Sequence, residues 1–264
     1  MTGLRYVYAV CRPFGTPLQA ELTGVAGAPA GLLHHHGLVA VVSTVPEADF
    51  GEDALKAHLE DLDWLAATAR AHQGVVDALT TVTTPLPLRL ATVFRDDSAV
   101  RVMIEAREDH FRALLDRLDG RVEWGVKVYA EAADEPAPAA PEKPASGRDY
   151  LRQRRARGQA KEETWQRAER FAHALHERLS ARAEDFRLHP PQNSALSGES
   201  GLNVLNAAYL VPRAYSEEFV ELVDHTKDEE PGFRVELTGP WAAYSFTGDT
   251  GDGAGVADAG EEVS

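Results

Sequence analysis

Strict alternation of apolar and polar residues over positions 121–129, RVEWGVKVY, constrains the fold of this 264-residue chain more than any other feature. Val122, Trp124, Val126 and Val128 occupy every second position, with glutamate, glycine, lysine and tyrosine at the others. A period of two is that of a β-strand, so the stretch predicts a strand with one apolar face. Such a strand belongs to a sheet that other elements cover on one side.

The first 130 residues predict one α+β domain. The predicted elements, in chain order, are a strand at 4–10, a strand at 37–45, a helix at 52–79, a strand at 88–94, a helix at 98–118 and a strand at 122–129. Both helices are amphipathic, with apolar residues three or four positions apart. Two helices on one side of a mostly antiparallel sheet are typical of a ferredoxin-like fold, here with a modified first crossover. The sequence therefore predicts a modified ferredoxin-like domain at residues 1–130.

A proline-rich segment at residues 131–147 separates this domain from the rest of the chain. It contains Pro136, Pro138, Pro141 and Pro144 among alanines and charged residues. This composition is typical of an extended, semi-rigid linker or surface loop.

The remaining residues predict a second α+β domain at 148–247. Its predicted elements are a long helix at 148–188, a hairpin at 193–213, a short helix at 216–227 and a strand at 233–237. The apolar stripe in the second half of the long helix consists of Trp165, Ala168, Ala172, Leu175 and Leu179. We expect this helix to pack on a small, mainly antiparallel sheet. Residues 248–264 contain five acidic residues and no basic one, which predicts a disordered acidic tail.

The chain is acidic, with a formal net charge of −15 at pH 7, and this argues against a nucleic-acid-binding protein. The basic segment at 152–161 is the exception, but its arginines spread around a helix instead of forming one face. No run of eighteen apolar residues occurs, so no membrane span is expected, and the N-terminus lacks the pattern of a signal peptide. Cys11 is the single cysteine, which excludes an internal disulfide and favours a reducing cytoplasm.

No catalytic or cofactor-binding site is predicted. The sequence has no HExxH, CxxC, GxSxG or GxxxxGK[ST] motif, and no GxGxxG motif follows a predicted strand. Cys11 follows an alternating strand and is predicted to be a small buried apolar residue instead of a nucleophile. Nothing in these motifs favours an enzyme.

Two groups of histidines are candidate metal ligands. The triplet at 34–36 is consecutive, and successive side chains of an extended segment point in opposite directions. The triplet is therefore expected to be a solvated loop. His173 and His176 lie three positions apart on the long helix, but zinc needs a third and usually a fourth ligand. We predict no metal site, and we assign His72, on the apolar stripe of the first helix, to the core.

Three short motifs resemble one known family. They are EWGVKVY at 123–129, LNAAYLV at 205–211 and GPWAAYSF at 239–246. Together with LRYVYAV at the N-terminus and LPLRLATVF in the first domain, they resemble the gas vesicle protein F/L family (GvpF/GvpL), whose members are accessory proteins of gas vesicle synthesis. The resemblance covers most of residues 4–130 and 148–246. In the last motif, Ala242 and Ala243 stand where the family often has prolines.

The resemblance implies an accessory protein of gas vesicle assembly and not an enzyme. Such a protein would bind the small, very hydrophobic shell protein and assist its nucleation or prevent its aggregation. The implied partners are the shell protein and other gas vesicle accessory proteins, and the implied locations are the cytoplasm and the gas vesicle. The alternative is a ferredoxin-like α+β enzyme or a small-ligand-binding regulatory protein, which a deep pocket with converging polar groups would favour.

Five residues are candidates for contact with a partner: Glu123, Lys127, Trp241, Tyr244 and Phe246. Glu123 and Lys127 lie on one face of the predicted strand about 13 Å apart, too far to pair with each other. Each is expected to find a partner on a neighbouring strand, in the second domain or on another protein. The three aromatic residues either cover the end of the second sheet or are partly exposed anchors for a partner.

Overall fold

The computed structural model describes residues 3–16, 22–130, 147–191, 201–227 and 229–248. Its strands are β1 (Gly3–Cys11), β2 (Gly31–His35), β3 (Leu38–Pro46), β4 (Leu86–Pro87), β5 (Val93–Phe94), β6 (Arg121–Ala130), β7 (Asp185–Leu188), β8 (Leu202–Pro212) and β9 (Phe233–Trp241). Its helices are α1 (Glu47–Phe50), α2 (Glu52–His58), α3 (Leu62–Thr80), α4 (Asp97–Ala106), α5 (Glu108–Leu118), α6 (Gly147–Ser180) and α7 (Ser216–Thr226). Two antiparallel sheets with packed helices confirm the predicted α+β class.

The chain divides into two compact units at a place that differs from the predicted boundary. The first unit comprises Met1–Arg117 and Ala243–Ser264, and the second comprises Leu118–Ala242. The alternating stretch that the sequence assigned to the first domain is strand β6, and it pairs with β8 and β9 of the second unit. The partners of β6 lie far along the chain, and the order of elements alone does not reveal them.

The sheet of the first unit has the strand order β2-β3-β1-β4, and β5 also pairs with β1. β1 is therefore central, and it is buried from Tyr6 to Cys11. The predicted single strand at 88–94 is instead two short strands, β4 and β5, that both pair with β1. Between them the backbone of Ala91 takes a positive φ of 63°, and its N–H donates to Oη of Tyr6 at 3.1 Å.

Both helices predicted in the first unit are interrupted. The predicted helix at 52–79 ends its first part at His58 and resumes at Leu62, because the side chain of Asp61 caps the new start. Leu59 and Leu62 are exposed at this break. The predicted helix at 98–118 is α4 followed by α5, with Arg107 outside helical geometry between them.

The second unit packs α6 and α7 on one face of a sheet with the order β7-β8-β6-β9. The alternating apolar residues of β6 form one core with Ala168, Ala172, Leu175, Leu179, Phe219 and Val223 of the two helices. The long helix was predicted to reach residue 188 but ends at Ser180. Residues Asp185–Leu188 instead form edge strand β7, because their backbone pairs with residues 207–210 of β8.

Several predicted segments lie outside the described residues. They are the proline-rich linker apart from Gly147, the first part of the predicted hairpin at 193–200, and the acidic tail apart from Gly248.

Candidate interaction surface

An apolar groove lies in the second unit between α6 and the β7–β8 edge of the sheet. Its lining residues are Trp165, Glu169, Ala172, His173 and His176 of α6, Leu188 and Pro191 at the end of β7, and Asn203, Val204 and Leu205 of β8. We call it the α6–β8 groove; its volume is about 320 Å³. That volume is at the lower end of the range for sites that take a small ligand, and it accommodates a few side chains of a protein partner.

Large apolar side chains are exposed in and beside this groove. Trp165 is 46% exposed and Leu188 is 58% exposed. Leu202 at the start of β8 is 51% exposed, and Phe186 of β7 is also exposed. Single exposed apolar residues are ordinary, but several at one edge are typical of a contact surface for another protein.

The floor of the groove is uncharged at pH 7. Nδ1 of His176 lies 2.8 Å from Oη of Tyr209, and the imidazole ring meets the ring of Phe186 edge-on at 4.7 Å. Burial lowers the pKa of His176, the nearby His173 lowers it further, and Glu177 acts against both. At the rim, Nε2 of exposed His173 lies 3.3 Å from a carboxylate oxygen of Glu177. The groove therefore offers an apolar floor with a polar rim.

Glu123 and Lys127, two of the predicted contact residues, lie on the face of β6 that points away from α6. Glu123 is only 8% exposed. Lys127 is directly opposite Glu236 of β9 in the strand register, and Glu236 also forms an ion pair with Arg234. This register is the one expected if Lys127 pairs across strands, and the burial of Glu123 leaves it little surface for a partner.

The three aromatic candidates belong to different units. Trp241 ends β9 of the second unit and is 37% exposed. Tyr244 and Phe246 form a short 3-10 turn of the first unit. Phe246 is 1% exposed, and the ring of Tyr244 lies 6.2 Å from that of His72. Trp241 is therefore the most accessible of the three.

The histidine triplet is not the solvated loop that the sequence predicts. His34 and His35 are the last residues of β2, and His36 begins the turn into β3. The side chains of His35 and His36 both lie beside Glu105 of α4, whereas His34 is exposed on the strand.

Sequence reasoning did not find the α6–β8 groove. Trp165 was assigned to the buried stripe of α6, and the four other members of that stripe are indeed buried. The helical period places Trp165 on the correct side of α6 but does not tell where the sheet beneath the helix ends. The groove also needs β7, a strand that the sequence predicts as helix.

A second concavity, of about 420 Å³, lies in the first unit. Apolar residues such as Phe94, Met103 and Phe111 line it together with Arg89 and His110. Its described lining contains no carboxylate.

A family model described as gas vesicle synthesis protein GvpL/GvpF matches residues 4–248. Gas vesicle protein L of Streptomyces sp. (strain CB03234) is 57% identical over 249 residues, which cover 93% of this chain and 93% of that protein. Gas vesicle protein F of the same strain is 27% identical over 254 residues, 91% of this chain and 98% of that protein.

Two solved structures have a similar fold. The crystal structure of GvpF from Microcystis aeruginosa matches with a TM-score of 0.65 at 22% identity, covering 94% of this chain and 100% of that one. GvpF from Anabaena sp. PCC7120 matches with a TM-score of 0.66 at 17% identity, covering 96% and 99%. Within the described residues, no helix combines the length and the apolar character that crossing a membrane requires.

Proposed function

This chain belongs to the gas vesicle synthesis protein GvpL/GvpF family, as its motifs indicated, and we propose that it binds the hydrophobic shell protein during gas vesicle assembly. Family membership gives it a role in assembly and does not point to an enzyme. In our proposal the protein works in the cytoplasm and at the gas vesicle. It holds shell protein before assembly, so that the shell protein nucleates and does not aggregate.

The α6–β8 groove is the observation that carries this proposal. An apolar shell protein needs an apolar surface to bind, and the groove exposes Trp165 and Leu188 above an uncharged floor. A tryptophan at the centre of an interface loses much of its water-exposed area on binding, which favours the complex. The net charge of −15 opposes self-association of the carrier while the groove stays accessible.

Trp241 is proposed as a second contact. It is exposed at the end of β9, the strand at the opposite edge of the same sheet. Of the other sequence candidates, Glu123 and Phe246 are almost fully buried, and we expect their replacement to act through stability. Lys127 and Tyr244 are partly buried and remain candidates of lower accessibility.

The test is a binding assay between the full-length chain and immobilised gas vesicle shell protein. We expect the double variant Trp165→Ser/Leu188→Ser to bind at least about tenfold more weakly, because an anchor residue at an interface contributes roughly 1.4 kcal/mol or more. Trp241→Ser is expected to weaken binding to a smaller extent. Both exposed groove residues can be replaced without opening a cavity in the core.

Leu62→Ser is the matched control, since Leu62 is a 78% exposed leucine at the start of α3 in the first unit. It should bind the shell protein like the unmodified chain. The proposal fails if the chain does not bind shell protein, or if the groove variant and the control bind equally well.

A further inference from the structure

Two histidines and a glutamate come together where the β2–β3 turn meets α4. Nε2 of His35 lies 2.6 Å from Oε1 of Glu105, and Nε2 of His36 lies 3.9 Å from the same oxygen. One ligand atom from each of the three side chains lies within 4.8 Å of the other two. His36 and Glu105 are exposed and His35 is partly buried, so an ion could reach the cluster from solvent.

The turn explains why the two histidines converge. His35 pairs with Leu38 in the hairpin, and His36 and Gly37 form the two-residue loop with φ values of 49° and 70°. Positive φ at both positions is typical of a type I′ turn. The alternation of an extended strand therefore ends at His35. The rings of His35 and His36 stack with centroids 4.3 Å apart and an interplanar angle of 20°.

A second layer of side chains orients one of the ligands. Nδ1 of His36 lies 2.8 Å from Oε2 of Glu108. Arg112 holds Glu108 in turn, because Nε and Nη2 both donate to Oε1 at 3.1 and 2.8 Å. Nη2 of Arg112 also donates to the backbone oxygen of His36 at 2.5 Å. Glu108 thus occupies Nδ1 of His36 and leaves Nε2 as the nitrogen available to an ion, as carboxylates do behind metal-bound histidines.

We propose that His35, His36 and Glu105 bind a divalent transition-metal ion, with zinc as the best match. Two imidazole nitrogens and one carboxylate oxygen form a ligand set that zinc accepts, with a fourth position left for water. Bonds of about 2.1 Å in a tetrahedron separate ligand atoms by roughly 3.4 Å. The His35–Glu105 contact therefore has to lengthen and His36 has to move closer, which the exposed Glu105 and His36 side chains can do by rotation.

The ion would join the β2–β3 hairpin to α4 and so link two parts of the first unit. Glu105 lies 70 positions from His35, so the folded chain presents all three ligands together and the unfolded chain does not. Zinc binding should therefore raise the melting temperature of the protein. This inference does not depend on binding of the shell protein.

The test is titration of the metal-free, full-length chain with zinc chloride by calorimetry, with cobalt chloride as a spectroscopic substitute. We expect one zinc site per chain. The zinc affinity should fall at least about tenfold in His35→Gln, in His36→Gln and in Glu105→Gln, and about tenfold in Glu108→Gln. Melting in the presence of a chelator should be the same for all variants, which shows that each one folds.

His34→Gln is the matched control. It removes a histidine of the same triplet whose side chain lies on the exposed strand face, away from Glu105. Zinc affinity should be unchanged in this variant. The inference is wrong if zinc does not bind, if Glu105→Gln leaves the affinity unchanged, or if His34→Gln weakens binding as much as His35→Gln. The last result would mean that three consecutive histidines bind zinc without the help of the fold.

Discussion

His72 lies in the core of the first unit, and the hydrogen bonds around it decide its protonation. Oη of Tyr6 accepts the N–H of Ala91 and forms a second hydrogen bond with Nδ1 of His72 at 3.0 Å. Nε2 of His72 has no hydrogen-bond partner among the described residues. The rings of Tyr8 and Tyr244 lie 5.5 and 6.2 Å away. Burial lowers the pKa of His72 to about 4, because these neighbours do not replace the water that would stabilise a charged ring.

We predict that His72 makes the protein less stable as the pH falls from 6.5 towards 4. The unfolded chain takes up a proton on His72 near its ordinary pKa of 6.5, whereas the folded chain resists protonation down to a pKa of about 4. A difference of this size corresponds to about 3 kcal/mol of unfolding free energy, all of it present above pH 6.5 and lost by pH 4. Urea unfolding at a series of pH values measures it.

His72→Gln keeps an acceptor for Tyr6 but does not titrate. Its unfolding free energy should fall less steeply between pH 6.5 and 4 than that of the unmodified chain. His34→Gln, at an exposed position that touches none of these groups, should keep the original slope. Equal slopes for His72→Gln and the unmodified chain would contradict the prediction.

The position of His72 could be predicted from the sequence, whereas that of His36 could not. The helical period was sufficient to place His72 in the core, because a residue's side of a helix follows from its spacing. The period of two could not place His36, since it assumes an extended backbone and the φ of His36 is 49°. Gly37 directly after His36 was the available indication that the alternation stops there, because a two-residue loop that ends in glycine is typical of a β-hairpin.

At the level of elements, two helices of the first unit begin at aspartates that bind their free N–H groups. Oδ1 of Asp61 accepts from the N–H of Asp63 at 3.0 Å and of Trp64 at 3.2 Å. Oδ1 of Asp96 accepts from the N–H of Ala99 at 2.9 Å, and this bond is the main reason for the lowered pKa of Asp96. The Asp61 cap explains why the predicted helix at 52–79 restarts at Leu62.

We predict that Asp61→Ala lowers the unfolding free energy by about 1 kcal/mol, because two N–H groups at the start of α3 lose their partner. Urea unfolding gives the total effect, and hydrogen exchange at the Trp64 amide reports the local one. Asp61→Asn is the matched control: its side-chain oxygen can still cap, so it should lose only a few tenths of a kcal/mol. Equal losses in the two variants would mean that the charge of Asp61 matters and its capping bonds do not.

The sequence predicts the type of strand β6 but not the strands with which it pairs. Alternation predicted its type and its apolar face, and both agree with the core that it forms with α6. Its partners were not predictable, since Trp124 lies opposite Tyr209 and Val126 lies opposite Leu237. Pairings over such separations depend on how whole layers pack, whereas spacing reports only local geometry. β7 was missed for a related reason, because it is a strand only where β8 supplies its partner.

For the whole molecule, net charge and surface pattern have opposite effects on association. The charge of −15 follows from composition alone, and it makes copies of the chain repel one another. The α6–β8 groove could not be predicted from composition, since it needs Trp165 and Leu188 to meet at one edge of a folded sheet. The repulsion is long-ranged and screened by salt, whereas attraction between apolar surfaces acts at contact.

This difference predicts that salt promotes self-association of the chain through the groove. Raising the salt concentration from about 0.01 M to about 1 M shortens the screening length from about 30 Å to about 3 Å, which removes most of the repulsion between copies. The apolar contact is not weakened by this screening, so light scattering at pH 7.5 should show increasing association as salt rises.

Trp165→Ser/Leu188→Ser leaves the net charge unchanged but removes two exposed apolar side chains, and it should associate markedly less at high salt. Leu62→Ser removes an exposed leucine elsewhere and should associate like the unmodified chain. If the two variants associate equally, or if salt has no effect, the groove is not the surface through which copies of the chain associate.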